Sequence, residues 1–169
     1  ETCILRGDSA AIKTAILDCR GMPVCGASIL VKSAAVSADR IYRDYFTDSV
    51  GEDIDFVARL LDIGKGKNLG AIHYYYRFRP YSLTRTVYWT VRQRHIHKII
   101  AFLARERWGL RGADSLETGS GSLDMYIEEL SLPYKVDPAL MARQCAVDHA
   151  LNKNYLPCFD CIKQSFNLK

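Results

Sequence analysis

The chain has 169 residues, 49% of them hydrophobic and 25% charged, the profile of a soluble globular domain with enough apolar content for a real core. No apolar run approaches the roughly 18 residues needed to cross a bilayer, and no basic segment followed by an apolar one opens the sequence as a secretory signal would. The net charge of +4 is unevenly spread: residues 77–111 hold nine basic side chains against Glu106 alone, a local +8 that leaves −4 for the remainder. Such a concentration points to a phosphate-bearing partner: nucleotide, nucleic acid, lipid headgroup or membrane surface.

Residues 8–20 read as a short helix. The Arg6-Gly7-Asp8 tripeptide at its start matches an adhesion motif, but three residues recur by chance and carry no weight. MPVCGASILVKSAAV, residues 22–36, reads as a strand with ASILV as its apolar run, turning into a helix start. Residues 40–48 are irregular. A helix is expected from about Val50 to Leu61, with Ile54, Val57, Leu60 and Leu61 on one face and Gly64 as its stop. Its first turn packs Glu52, Asp53 and Asp55 together. Acids are ordinary there, because the helix N-terminus favours anions, and Ser49 with Glu52 three residues later reads as a capping box. Asp55 and Arg59, four apart, are expected to pair.

Residues 69–78, with Ile72, three tyrosines and Phe78, read as a strand that Pro80 stops. A long amphipathic helix is expected from about Leu83 to Arg107. Tyr88, Trp89, Ile96, Ile99, Ile100 and Leu103 share its apolar stripe, and Arg94, Lys98 and Arg105 its solvated face. Arg92 falls inside the stripe, so it is expected to be buried against a carboxylate or backbone carbonyls. GLRGADSLETGSGSLD, residues 109–124, is Gly/Ser-rich and reads as a loop or linker. Residues 138–151 and 156–166 read as a helical hairpin.

The six cysteines are Cys3, Cys19, Cys25, Cys145, Cys158 and Cys161. Cys158 and Cys161 form a C-x-x-C without a second pair at zinc-like spacing and without the strand-to-helix setting of a redox pair, so all six read as structural thiols. His95 and His97 stand two apart, which on a helix points them in different directions; with His73 and His149 they read as structural or exposed.

Three blocks stand in order: the strand of residues 22–36, the acidic helix start GEDIDFVARLL, and IHYYYRFRPYSLTR. In this order they resemble the C-terminal half of a family 2 glycosyltransferase domain, the inverting GT-A type, over roughly residues 15–90. Glu52, Asp53, Asp55, Arg59 and Leu60 match its acidic block, and Tyr75, Tyr76, Arg77, Pro80, Ser82 and Thr84 its last block. Arg79 stands where the family has His. Arg107 and Trp108 match the end of the Q-x-x-R-W of processive members, but Ala104 replaces the Gln, so no polymerase is inferred.

The resemblance implies an α/β fold: a partial GT-A-like domain over residues 1–108, with a mixed sheet and flanking helices, the linker at 109–124 and a helical appendage over 125–169. It implies transfer of a sugar from a nucleotide-sugar donor to a saccharide or lipid-linked acceptor with inversion, in the cytoplasm and with room for peripheral membrane contact. Asp53 would be the general base, Glu52 a second catalytic-site carboxylate, and Gly26, Arg77, Arg79 and Ser82 substrate-binding. The divalent metal of the family, Mg or Mn, would have its ligands in a nucleotide-binding half that this sequence lacks. A basic nucleic-acid- or phosphate-binding module and a non-catalytic interaction protein remain as alternatives. Nucleic acid is disfavoured because Tyr88, Trp89 and Phe102 fall on the apolar stripe rather than on a stacking surface.

Overall fold

The computed structural model describes residues 7–20, 23–36, 41–47, 49–75 and 89–168. The described residues are 66% helical, and the strands among them form one two-residue antiparallel pair. Strand β1 is Gly7–Asp8 and β2 is Lys67–Asn68, with Gly7 opposite Asn68 and Asp8 opposite Lys67. The helices are α1 (Ser9–Leu17), α2 (Glu52–Ile63), α3 (Val91–Arg94), α4 (Ile96–Glu106), α5 (Ser115–Thr118), α6 (Ser122–Val136), α7 (Leu140–Leu151) and α8 (Tyr155–Asn167).

This corrects the expected α/β class: the mixed GT-A-like sheet is not what the described residues form. Between Pro23 and Val36 the backbone makes two short 3-10 turns, Gly26–Ser28 and Ser33–Ala35, and between them it is extended but unpaired. Leu30, within the apolar run, is 98% exposed. An apolar run supplies half of a strand; the other half is a ladder partner for its backbone, and among the described residues none lies beside this one. Residues 69–75 likewise form no strand, with Leu69, Ile72 and Tyr75 exposed; residues 76–78 of that expected strand lie outside the described residues.

The described chain divides into two compact units. The first comprises residues up to 77 together with Ile96–Leu123. Its core is apolar faces of three helices: Ile12 and Ile16 of α1; Ile54, Val57, Ala58 and Leu61 of α2; Ile96, Ile99, Ile100 and Leu103 of α4. Asp8 caps α1 by accepting from the amides of Ala10 and Ala11 at 3.1 Å, so the adhesion-like tripeptide ends in a helix cap. The expected capping box at α2 does not form. Ser49 instead donates to the Phe46 carbonyl at 3.4 Å, and Gly51 holds the N-cap position at φ +105°. Glycine is required twice over, since that φ strains other residues and a Cβ would come within 2.8 Å of Ile100 Cδ1.

The expected long helix is broken. Thr90 caps α3, accepting from the Gln93 amide at 3.2 Å, and His95 leaves helical geometry before α4 begins. Residues 83–88 lie outside the described residues. The break takes Arg92 off a continuous stripe, and it is half-buried rather than buried. Residues 109–124 are not a plain loop: they carry α5 and the first turn of α6.

The second unit comprises Phe78–His95 and Asp124–Lys169. Its α7 and α8 form the expected hairpin, turning at Asn152–Asn154 around Cys145, Ala146 and Cys161, with Met141 and Cys158 packed against them. Burial pushes the Cys145 and Cys161 thiols above their ordinary value, so they stay protonated. Arg94, expected on a solvated face, donates to Asp148 at 2.7 Å and reaches Cys145 Sγ at 3.5 Å. His95 Nε2 meets the Tyr134 hydroxyl at 2.9 Å, which donates to Gln144 at 3.0 Å.

Candidate active site at the start of helix α2

Three carboxylates leave the first turn of α2, and their surroundings sort them. Asp55 points inward, where it is 1% exposed. Its Oδ2 accepts from Arg59 Nε at 3.0 Å, the expected i,i+4 pair, and faces Arg43 Nε at 3.5 Å. Asp55 is therefore structural.

Asp53 is half-buried, and its Oδ1 accepts from the Ile54 amide at 2.8 Å. Its carboxylate lies directly against the backbone of Gly26. A Cβ built there would overlap Asp53 Oδ2 and come within 2.7 Å of its Cβ and 2.8 Å of its Cγ. Two sequence-predicted site residues, 27 positions apart in the chain, are thus brought into contact, and only a residue without a side chain permits it. Glu52 is half-buried beside them, and its Oε2 is buried with no hydrogen-bond partner among the described residues. A carboxylate oxygen removed from water without a donor is costly, so this one is poised to accept.

His97 of α4 carries no signal in the sequence that joins it to this turn. It lies close enough to Asp53 to feel its charge. Partial burial of its ring pushes it below its ordinary value of 6.5, and Asp53 pulls the other way. His97 itself is exposed. Arg77, Arg79 and Ser82 lie outside the described residues.

Behind this turn lies an ion network that sequence reasoning misses. Arg43 grips Asp114 with two hydrogen bonds, 3.1 and 2.8 Å, and reaches Glu117 at 3.2 Å. Arg107 also donates to Asp114, and to Asp62 at 3.0 Å; Trp108 Nε1 donates to Asp62, and Lys13 lies 4.6 Å above the Trp108 ring. Arg107 and Trp108 therefore clamp the far end of α2. Asp114 caps α5 as well, in a full capping box with Glu117. Burial alone would push Asp114 up; the hydrogen bonds and charges of Arg43 and Arg107 outweigh it and hold Asp114 below its ordinary value. The signal is present as Asp114-Ser-x-Glu117, hidden in a stretch of glycine and serine.

Three of the basic residues of segment 77–111 are thereby used internally: Arg94 on Asp148, Arg107 on Asp62 and Asp114, and Arg105 on the Leu17 carbonyl at 2.5 Å. Lys98 is exposed. Among the described residues no group of three or more His, Cys, Asp and Glu side chains is placed to hold a metal ion. Glu52 and Asp53 alone do not fit the divalent metal that the resemblance implies, and no step is drawn through one. Also among the described residues, no helix is long and apolar enough to cross a membrane. No family model, curated protein or solved structure matches this chain.

Proposed function

We propose that this chain carries the acceptor-side catalytic residues of an inverting glycosyltransferase, with Asp53 as the general base. The observation that supports it is the sorting of the three acids. Asp55 is neutralised by Arg43 and Arg59, while Asp53 is left half-open against the bare backbone of Gly26. A fold assigned from sequence does not carry this reading; the site chemistry does.

In the proposed reaction an acceptor hydroxyl attacks the anomeric carbon of a nucleotide sugar from the face opposite the diphosphate. The new C–O bond forms as the bond to the diphosphate oxygen breaks, and the hydroxyl proton passes to Asp53. A positioned base is worth roughly 10² to 10⁴ in rate. The free Glu52 oxygen accepts a second acceptor hydroxyl and fixes its orientation, and the bare Gly26 backbone seats the Asp53 carboxylate. Arg77, Arg79 and Ser82 stay in the proposal as contacts to the diphosphate or to a phosphorylated acceptor. The donor-binding half and any metal would come from outside these residues, and the reaction would take place in the cytoplasm or at its membrane surface. The nucleic-acid alternative is weakened by the internal pairing of Arg94, Arg105 and Arg107.

The test is release of nucleoside diphosphate by the full-length protein containing this chain, over a panel of nucleotide sugars and saccharide acceptors. Asp53→Asn is expected to lower turnover by roughly 10² to 10⁴ with donor affinity nearly unchanged. Gly26→Ala is expected to act on the same step by displacing the Asp53 carboxylate. Full turnover in Asp53→Asn would leave the three acids as helix-terminus charges and remove the proposal.

A further inference from the structure

Helices α7 and α8 meet through small side chains. The buried residues of α7 are Ala142, Cys145 and Ala146, and those of α8 are Cys161 and Ser165. Small residues on both faces let two helices approach to the short end of the usual range, roughly 8–10 Å between axes. Cys145 and Cys161 belong to one buried cluster, 0% and 2% exposed, and half-buried Cys158 packs against it. All three are thiols. Cys145 lies seven residues before Asn152 and Cys161 seven residues after Asn154, so the turn of the hairpin sets them opposite each other.

We propose that Cys145, Cys158 and Cys161 form a thiol relay through which a small-molecule disulfide staples α7 to α8. Cys158 takes the reagent, and the bond comes to rest between Cys145 and Cys161. Spacing decides which pair keeps it. A disulfide holds its two Cβ atoms about 3.5–4.5 Å apart. Residues three apart on an intact helix have theirs about 5–6 Å apart. A Cys158–Cys161 bond therefore strains α8, and strained disulfides are the ones that exchange onward. Cys145 and Cys161 face each other from two helices with no bulky side chain between them, so their bond leaves both helices intact.

The steps balance. Cys158, the one of the three that solvent reaches, attacks the reagent R–S–S–R; a Cys158–S–S–R bond forms, and the first R–S⁻ leaves with the Cys158 proton as R–SH. The Cys161 sulfur then attacks the Cys158 sulfur and expels the second R–S⁻, which takes the Cys161 proton. Last, the Cys145 sulfur attacks that of Cys161, and its proton returns to Cys158. One small disulfide is reduced to two thiols, and Cys145 and Cys161 together lose two electrons. Burial disfavours the Cys145 thiolate and makes the last transfer the slow one. The Arg94 guanidinium, 3.5 Å from Cys145 Sγ, favours the thiolate as it forms.

The test is incubation of the intact chain with oxidised glutathione, alkylation of the remaining thiols, and mass spectrometry of a non-reduced tryptic digest. Lys153 separates Cys145 from the other two, and no Lys or Arg stands between Cys158 and Cys161. A Cys145–Cys161 bond therefore joins two peptides, while a Cys158–Cys161 bond stays within one. The joined pair is expected, with Cys158 alkylated. Cys158→Ser is expected to reach the same pair at least about 10-fold more slowly, because the reagent then has to reach a buried sulfur. Cys145→Ala is expected to accumulate glutathione on Cys158. The oxidised wild type is expected to unfold roughly 5–10 °C higher than the reduced chain, as closure of a loop of about 15 residues predicts, and Cys145→Ala is expected to show no such rise. If circular dichroism shows that Cys145→Ala has lost helix, Cys145→Ser is read in its place. A wild-type chain that ends with glutathione on Cys158, or with the two C-x-x-C sulfurs joined, overturns the proposal. So does a joined pair that forms as fast without Cys158, or one that lowers the unfolding midpoint.

Discussion

Helices α2 and α8 are nearly equal in length and both are amphipathic, yet they place opposite chemistry inside. Helix α2 turns its apolar residues into a three-helix core and takes a carboxylate, Asp55, in with them. That carboxylate is tolerated because Arg43 and Arg59 meet it. Helix α8 buries a cysteine and a serine and turns its aromatic residues outward. The difference teaches that periodicity gives a helix a face but not a partner. In α2 the partner is within the unit, and stability and the candidate site share one turn. In α8 the large face is exposed.

The strongest break in this comparison is expected at Asp114. Asp114→Ala leaves Arg43 and Arg107 buried without their shared carboxylate and uncaps α5. A loss of about 3–5 kcal/mol in unfolding free energy is expected, measured by urea titration of the chain. A loss below ~1 kcal/mol would place the network in solvent.

A smaller effect follows from protons. Asp114 has a folded value held below its ordinary 3.8. The unfolded chain takes up that proton first as pH falls, so the stabilisation is full above the ordinary value and is lost as pH drops through the lower, folded value. Stability measured from about pH 6 downward is expected to show an acid limb that starts near that ordinary value. Asp114→Asn is expected to flatten it, while Phe159→Ser keeps the wild-type limb. An unchanged limb in Asp114→Asn would assign acid unfolding to other carboxylates.

The smallest effect sharpens the contrast. Phe159→Ser is expected to change stability by less than about 0.5 kcal/mol. A loss of several kcal/mol would mean that α8 packs its aromatic face within the single chain after all.

What is legible in the sequence follows the same division. Helices α1, α2, α7 and α8 are readable because a 3.6-residue period shows in the order of residues itself, and Asp55–Arg59 because its spacing lies within one turn. The strands mislead for a physical reason. ASILV has strand-forming side chains, but a strand exists only when another backbone answers it, and that partner is not written in the run. Arg94 reads as a solvated residue because Asp148 lies 54 positions away. Asp114 is hard to see because the glycine and serine around it imitate a linker. At the candidate site Gly26 meets Asp53 across 27 positions of chain, and His97 has no local signal: only the packing of α4 beside α2 brings it near.

The Arg43–Asp114 pair also carries a consequence for the order of assembly. Its two members are 71 positions apart, and the network closes only when the segment before α2, the end of α4 and the cap of α5 have all arrived. Contacts of such separation are costly in loop entropy, and charges leave water only when every partner is in place. The ion network is thus the last latch of its unit rather than the seed of its folding. Kinetically, Asp114→Ala should quicken unfolding and leave the refolding rate almost untouched. Stopped-flow refolding and unfolding of the variant distinguish the two limbs, and a slowed refolding limb would move the network into the nucleus.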